Sequence, residues 1–397
     1  MQRLRFKADD GSPFPDWEEK KFSEIFEKTT NKNARYGTDK IISVANMYYK
    51  EDASISNEDY LKTYNVMLYG DIAFEGHVNK EYSHGRFILN DIGDGIVSHI
   101  FDVFHPRNLS LYSVGFWKEY IRHEPIMGRV LVRCTKSSTM MRNLVAKEFL
   151  QELVPVPCLP EQQKIAEFLS TIDTVIEKQK ETVSAWEERK KGVMQKLFSQ
   201  EVRFKANDGS EFPEWEEKKL GDICKTFSGG TPKSGEARYY ENGTISFIRS
   251  GEIHDDETEL RITKDGLNES SAKMVDIGDI LYALYGATSG EVGISKIKGA
   301  INQAILCIRP LNDFHRKFIV EILRHNKETI LRTYLQGGQG NLSAQIIQSL
   351  VFDFPCLAEQ QKIADCLSSL DEVIEKQKAI LAAWEELKKG LLQQMFI

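Results

Sequence analysis

One block of this sequence is written twice. At an offset of 198, Pro157 to Ser199 ("PCLPEQQKIAEFL…") aligns with Pro355 to Ile397 ("PCLAEQQKIADCL…") without a gap, at 27 identities in 43 positions. The same offset aligns "RFKADDGSPFPDWEEKKFSEIF", Arg5 to Phe26, with "RFKANDGSEFPEWEEKKLGDIC", Arg203 to Cys224, at 15 identities in 22. Any fold must therefore be built from two like halves. Between the shared segments the halves diverge. "GGTPKSGEARYYENG", Gly229 to Gly243, has no alignable counterpart, and only echoes persist, such as "GDI" at Gly70 to Ile72 and at Gly278 to Ile280. Uniform drift after a duplication would have blurred both regions alike, so something kept the shared parts similar while the rest was free to differ.

The longer shared segment reads as a helix. Ile165, Leu169, Ile172, Ile176, Gln179, Val183, Trp186, Lys190, Val193 and Leu197 alternate by four and three residues, and the second copy repeats the pattern from Ile363 to Met395. That is a heptad seam. Pro160 suits a first helical turn, where its missing N–H costs nothing, and a helix from Pro160 to Phe198 would be ~58 Å long. The two stripes are expected to pack as an antiparallel coiled coil with Gln179 and Gln377 helping to set register; the alternative is that each helix covers only its neighbouring domain. The copies also agree off the seam. That agreement fits a solvated face, or a surface on which one kind of partner docks twice, through Gln162, Gln163, Glu177, Lys178, Glu187, Glu188 and Lys191 and through Glu375, Lys376, Glu385, Glu386 and Lys389.

Each variable block has short apolar strand candidates ("DIAF", "ISFI", "DILYAL", "AILCI") followed by helical stretches ("VGFWKEYIRH", "FHRKFIVEILRHN"), which reads as mixed α/β. Polar, glycine-bearing loops interrupt the strands: "TTNKNARYG", "EGHVNKEYSHGR", "SGGTPKSG", "YGATSG" and "QGGQGN". Their Asn, Gln, Lys and Arg side chains can reach base edges and phosphates.

Composition narrows the remaining choices. With 397 residues, 41% hydrophobic and 28% charged, the chain can bury two to four cores. The start, "MQRLRFKADDG", lacks the apolar core of a signal peptide, and no apolar run approaches the ~20 residues of a membrane helix, so a cytoplasmic protein is expected. The six cysteines form no C-x-x-C pair and the eight histidines no ligand spacing, which argues against a metal site. "GGTPKSGE" fails the Walker pattern because Gly235 is followed by Glu236 rather than Lys. No enzyme signature survives. The net charge of −7 leaves the partner undecided.

The order of blocks, "PCLPEQQKIA" and "PCLAEQQKIA" opening long helices, the "GGTP" loop, the "INQAI" strand and the "GN-L-S" signal resemble the specificity (S) subunit of type I restriction-modification systems. The resemblance covers essentially the whole chain; the first block lacks "GGTP" and resembles another subtype of the same domain. It implies an α+β protein with two target-recognition domains separated by two long antiparallel helices, a pseudo-two-fold internal repeat. Its division would be 1–156 and 201–354 for the domains and 157–200 and 355–397 for the helices. It further implies a non-catalytic subunit that reads a bipartite double-stranded DNA target and docks two methyltransferase (M) subunits on the helices. Motor-nuclease (R) subunits would join for cleavage. This chain would bind no cofactor, with S-adenosylmethionine held by M for adenine methylation. The expected DNA-binding residues are Asn31, Lys32, Asn33, Arg35, His77, Lys80, Lys136, Ser137 and Ser138 in the first block. In the second they are Thr231, Lys233, Ser234, Thr288, Gln336, Gln339 and Asn341. The alternatives are a coiled-coil scaffold joining two protein-binding domains, or the specificity subunit of a related methyltransferase-nuclease system. Because Met1 plus 198 and Ile397 fall on one repeat position, Met1 and Ile397 are expected within roughly 15 Å of each other.

Overall fold

The computed structural model describes residues 4–51, 58–137, 141–335 and 341–396. By its contacts the chain divides into two units, the first made of 1–181 with 379–397 and the second of 182–378. Met1, Ile397, Ser138, Gln336 and Gln339 lie outside the described residues.

In the first unit the central sheet has four strands: β1 (Phe26–Lys28), β2 (Ile72–Glu75), β3 (Arg86–Leu89) and β4 (Val103–Pro106), in the order β1-β4-β2-β3 and antiparallel throughout. The second unit has β5 (Cys224–Ser228), β6 (Ile280–Ala283), β7 (Val292–Ile294) and β8 (Ile305–Pro310) in the order β5-β8-β6-β7, again antiparallel. Two strongly divergent sequences thus build one strand order. Around it they differ: the second unit adds a four-stranded sheet from Ile245–Ile248, Arg261–Ile262, Lys273–Val275 and Gly299–Ile301, where the first has two-stranded ribbons such as Asn65–Met67 with Gly95–Val97.

The shared segments close each block. Glu18–Lys21 pairs antiparallel with Leu153–Val156, and Glu216–Lys219 pairs with Val351–Phe354 in the same register. Immediately after each clasp a 40-residue helix begins, α2 (Leu159–Phe198) and α4 (Leu357–Phe396), with α1 (Val114–Tyr120) and α3 (Arg316–His325) lying earlier in the blocks. The heptad expectation holds within each unit. In the first, Ile165 and Leu169 share a core with Met395 and Phe396, while Lys180 lies 4.0 Å from Glu385, so residue numbers rise on one helix as they fall on the other. In the second, Leu197 packs in one core with Ile363 and Leu367, and Glu187 meets Lys378 at 2.9 Å. These helices also cover their own domains: Phe396 stacks edge-on against Phe116 and Tyr120. The paired helices therefore bear out the coiled-coil reading over the alternative that each covers its own domain alone, and they pack on those domains as well.

A buried ion pair fastens each helix start. Fully buried Glu161 accepts hydrogen bonds from Arg5 Nε (3.1 Å), Arg5 Nη2 (2.8 Å) and Trp17 Nε1 (3.1 Å). Glu359 accepts from Arg203 Nε (3.2 Å), Arg203 Nη2 (2.8 Å) and Trp215 Nε1 (3.2 Å). A carboxylate taken out of water is tolerated only when its lone pairs are filled in this way. The ends of the chain repeat a mid-chain contact. Leu4 N–H donates to Gln394 O at 2.9 Å, and Val202 N–H, 198 residues on from Leu4, donates to Lys196 O at 3.2 Å.

Candidate nucleic-acid interface

Antiparallel pairing decides which loops meet. In the first unit the end of β1, the end of β2 and the start of β4 fall at one sheet edge, since Lys28 pairs with Phe104 and Ala73 with Val103. Asn31 and Lys32 leave that edge after β1, and exposed His77 and Lys80 leave it after β2. The ribbon Thr135–Ser137 with Arg142–Leu144 joins them, because Arg142 N–H donates to Gly76 O at 2.8 Å. A side chain on Gly76 would sit 2.1 Å from Arg142 O, so the close approach requires glycine here. Lys136 and Ser137 are thereby carried to the same edge, exposed.

The second unit does the same with other residues. Ser228 pairs with Leu306 and Ala283 with Ile305, so the loops after β5 and β6 and before β8 share an edge. Thr231 Oγ1 donates to Gln303 Oε1 at 2.6 Å, and Leu342 N–H donates to Leu284 O at 3.1 Å, which brings exposed Asn341 alongside half-buried Thr288's loop. Lys233 and Ser234 are exposed, with the Lys233 ammonium 3.3 Å from Glu236. The "GG" of "GGTP" serves packing: a side chain at Gly229 would lie 1.8 Å from Ile301 O, and one at Gly230 2.4 Å from Ser271 Oγ.

Two expectations are corrected. Asn33 is buried; its amide donates to Tyr36 O (2.9 Å) and Leu61 O (3.2 Å), and its oxygen accepts from Arg35 and Tyr36 N–H. It is fully occupied in shaping the loop that presents Arg35, whose guanidinium stacks 4.7 Å over Tyr36. Gln162 is likewise buried, accepting from Ser113 N–H (3.1 Å) and donating to Pro157 O (3.0 Å); Gln360 repeats this with His315 (2.8 Å) and Pro355 (2.8 Å). Its identity in both copies has an internal cause and leaves no side chain for a partner. Gln163, Glu177, Lys178, Glu187, Glu188, Lys191, Glu375, Lys376, Glu385, Glu386 and Lys389 are exposed on the long helices.

Sequence reasoning missed Gln303, although its signal was present: a polar Asn-Gln pair standing between two strands. Lys32 also proves less free than a loop lysine suggests, since its ammonium donates to Asn65 Oδ1 at 2.7 Å and Thr63 O at 3.0 Å. Among the described residues no group of three or more His, Cys, Asp or Glu is placed to hold a metal ion. Burial pushes the thiols of Cys134, Cys224 and Cys307 up to about 12, which keeps them protonated. No helix of the described residues is long and apolar enough to cross a membrane.

A family model described as the type I restriction modification DNA specificity domain matches the chain twice, over residues 15–184 and 213–385. The chain is 26% identical over 421 aligned positions to a putative type I restriction enzyme MjaX specificity subunit from Methanocaldococcus jannaschii, covering 97% of this chain and 94% of that one. Among solved structures, the S subunit of a type I restriction-modification system from M. genitalium matches with a TM-score of 0.60 at 14% identity, over 100% of this chain and 99% of the other. A chain from a structure on assembly and conformational transition of the type I R-M system matches with a TM-score of 0.56 at 17% identity, over 97% and 98%. At these identities the structural likeness is one of fold.

Proposed function

The chain belongs to the family of type I restriction-modification DNA specificity proteins, and from that premise we propose that each unit reads one half of a bipartite DNA target while the long helices carry methyltransferase subunits. One observation supports this above the others. Two blocks of strongly divergent sequence build one strand order and bring their polar loops to the same edge of it. A scaffold for proteins has no need of such loops twice. Asn31, Lys32, Arg35, His77, Lys80, Lys136 and Ser137 would face one half-site, and Thr231, Lys233, Ser234, Thr288 and Asn341 the other. Lys and Arg would hold phosphates; Asn, Ser and Thr would read base edges.

The chain supplies recognition and no chemistry of its own. An M subunit docked near the exposed repeat residues of each unit would bring S-adenosylmethionine and methylate an adenine; R subunits would add cleavage. DNA as the target puts its work in the cytoplasm. Single-molecule methylome sequencing of a host carrying the chain with its M partner tests the reading. The expected result is an asymmetric motif of two specific parts separated by a fixed non-specific gap. A continuous motif, or methylation by the purified chain without M, would contradict it.

A further inference from the structure

The heptad seam of each long helix carries one lysine where an apolar residue belongs, Lys190 in α2 and Lys388 in α4. Within the first unit the Lys388 ammonium lies 2.8 Å from Asp173 Oδ1 of α2 and 3.1 Å from Glu119 Oε2 of α1. Within the second, the Lys190 ammonium lies 2.7 Å from Asp371 of α4 and 3.1 Å from Glu321 of α3. The lysines and glutamates are largely out of water, with Lys190 12% exposed, Lys388 18%, Glu119 12% and Glu321 6%, while Asp173 and Asp371 are half-exposed.

The lysines and aspartates are equivalent at the 198 offset, and the glutamates match by their surroundings: Ser113 and His315 N–H meet Gln162 and Gln360 alike, and Phe116 and Phe318 stand edge-on to Trp17 and Trp215, which sets Glu119 opposite Glu321. Each variable block therefore delivers a carboxylate to the shared ammonium from the same place on its own helix. In the second unit Arg324 adds a second cation, 2.7 Å from Glu321 and 3.9 Å from Asp371.

We propose that Glu119 and Glu321 are positioning residues, which fix the angle at which each recognition block stands on the helix pair and so fix the gap between the two half-sites. This rests on the bipartite reading above. Apolar packing between a helix and a sheet tolerates small rotations, because dispersion contacts are many and individually weak. A buried carboxylate does not, because rotation out of ion-pair reach leaves it without a counter-charge. The Lys–Asp pair bridges the two helices beside their apolar seam, and the glutamate adds a charged tie from the block to that bridge. Removing the glutamate's charge therefore frees the block while the helix pair keeps its bridge.

The test uses the complex of the full chain with its M partner and a set of duplexes carrying both wild-type half-sites with the gap changed by one or two base pairs. Wild type is expected to prefer one gap. Glu321→Gln and Glu119→Gln should each lower that preference on the order of tenfold, leave the half-site sequences unchanged, and be partly rescued by Glu→Asp at the same position. Thermal melts run beside the binding series separate positioning from folding, and since the two variants lie in different units either one carries the test alone. A gap profile identical to wild type, whether or not the melting temperature falls, would overturn the proposal and leave these residues a structural role. Absence of any gap preference in wild type would instead overturn the bipartite reading.

Discussion

The two units hold one turn with two different side chains. In each, a "Gly-Asp-Ile" turn enters the second strand of the central sheet, with the glycine at a left-handed φ of +90° (Gly70) or +92° (Gly278) that favours glycine. The aspartate accepts from the backbone N–H three residues back, Leu68 in one unit and Asp276 in the other, at 2.8 Å each. In the first unit Asp71 then meets His105 Nδ1 at 2.6 Å; in the second, Asp279 takes a fork from Arg309 at 2.9 and 2.6 Å. His105 and Arg309 occupy matching places, each just before the proline that ends its strand. The framework therefore requires a donor at that point and accepts more than one residue type. This is how blocks of divergent sequence can share a strand order.

The comparison breaks most easily at the shared joints. Glu161→Ala and Glu359→Ala each leave an arginine and a tryptophan N–H facing a buried void, at about 3 kcal/mol of stability. Urea melts read this, and the effect should be nearly equal in the two units because their geometries match. The seam lysines should separate the units. Lys388→Met leaves buried Glu119 and half-exposed Asp173 without that cation, whereas after Lys190→Met, Arg324 remains 2.7 Å from Glu321. The loss should be on the order of 3 kcal/mol for the first and smaller for the second; equal losses would show that Arg324 contributes no compensation.

The turn aspartates should separate the units by pH. Burial raises the Asp71 carboxyl to about 6, above its ordinary value, while the Arg309 fork helps to hold Asp279 below its own against the opposing effect of burial. A raised carboxyl binds its proton more tightly in the folded state. Its contribution is full below the unfolded value and falls as pH rises through about 6. For Asp279 the sign is opposite: its contribution is present above the unfolded value and is lost as pH falls through the folded one. Relative to Asp71→Asn, wild type should lose on the order of 2 kcal/mol between pH 4 and pH 7, seen as diverging thermal melts. Parallel curves would contradict the assignment. The smallest effect is expected from a circular permutant opened near Gln200 and joined through a few glycines. Because Leu4 already bonds Gln394 as Val202 bonds Lys196, melting should shift by no more than about 1 kcal/mol.

Much of this was legible in the sequence, for reasons of range. The repeat, the helices and the seam are local patterns of period 3.5 and could be counted directly. The strand order was not legible, since pairs such as Phe26 with Pro106 or Phe227 with Cys307 are set by tertiary packing across long stretches of chain. The same holds for the Arg5–Glu161 clasp, whose partners lie 156 residues apart. It explains why identity at Gln162 read as a docking surface when it is an internal brace. Of the candidate interface, the loops were found from glycine and polar composition. Which of their side chains are occupied internally, as Asn33 is, depended on neighbours brought from elsewhere.

The central claim is that each block is an autonomous reader. It is tested most directly by replacing Lys219 to Asp353 with the corresponding block of another family member and sequencing the methylome of a host that also carries the M partner. The account predicts a motif in which one half changes to that of the donor and the other half stays as it was. A motif altered in both halves would contradict it.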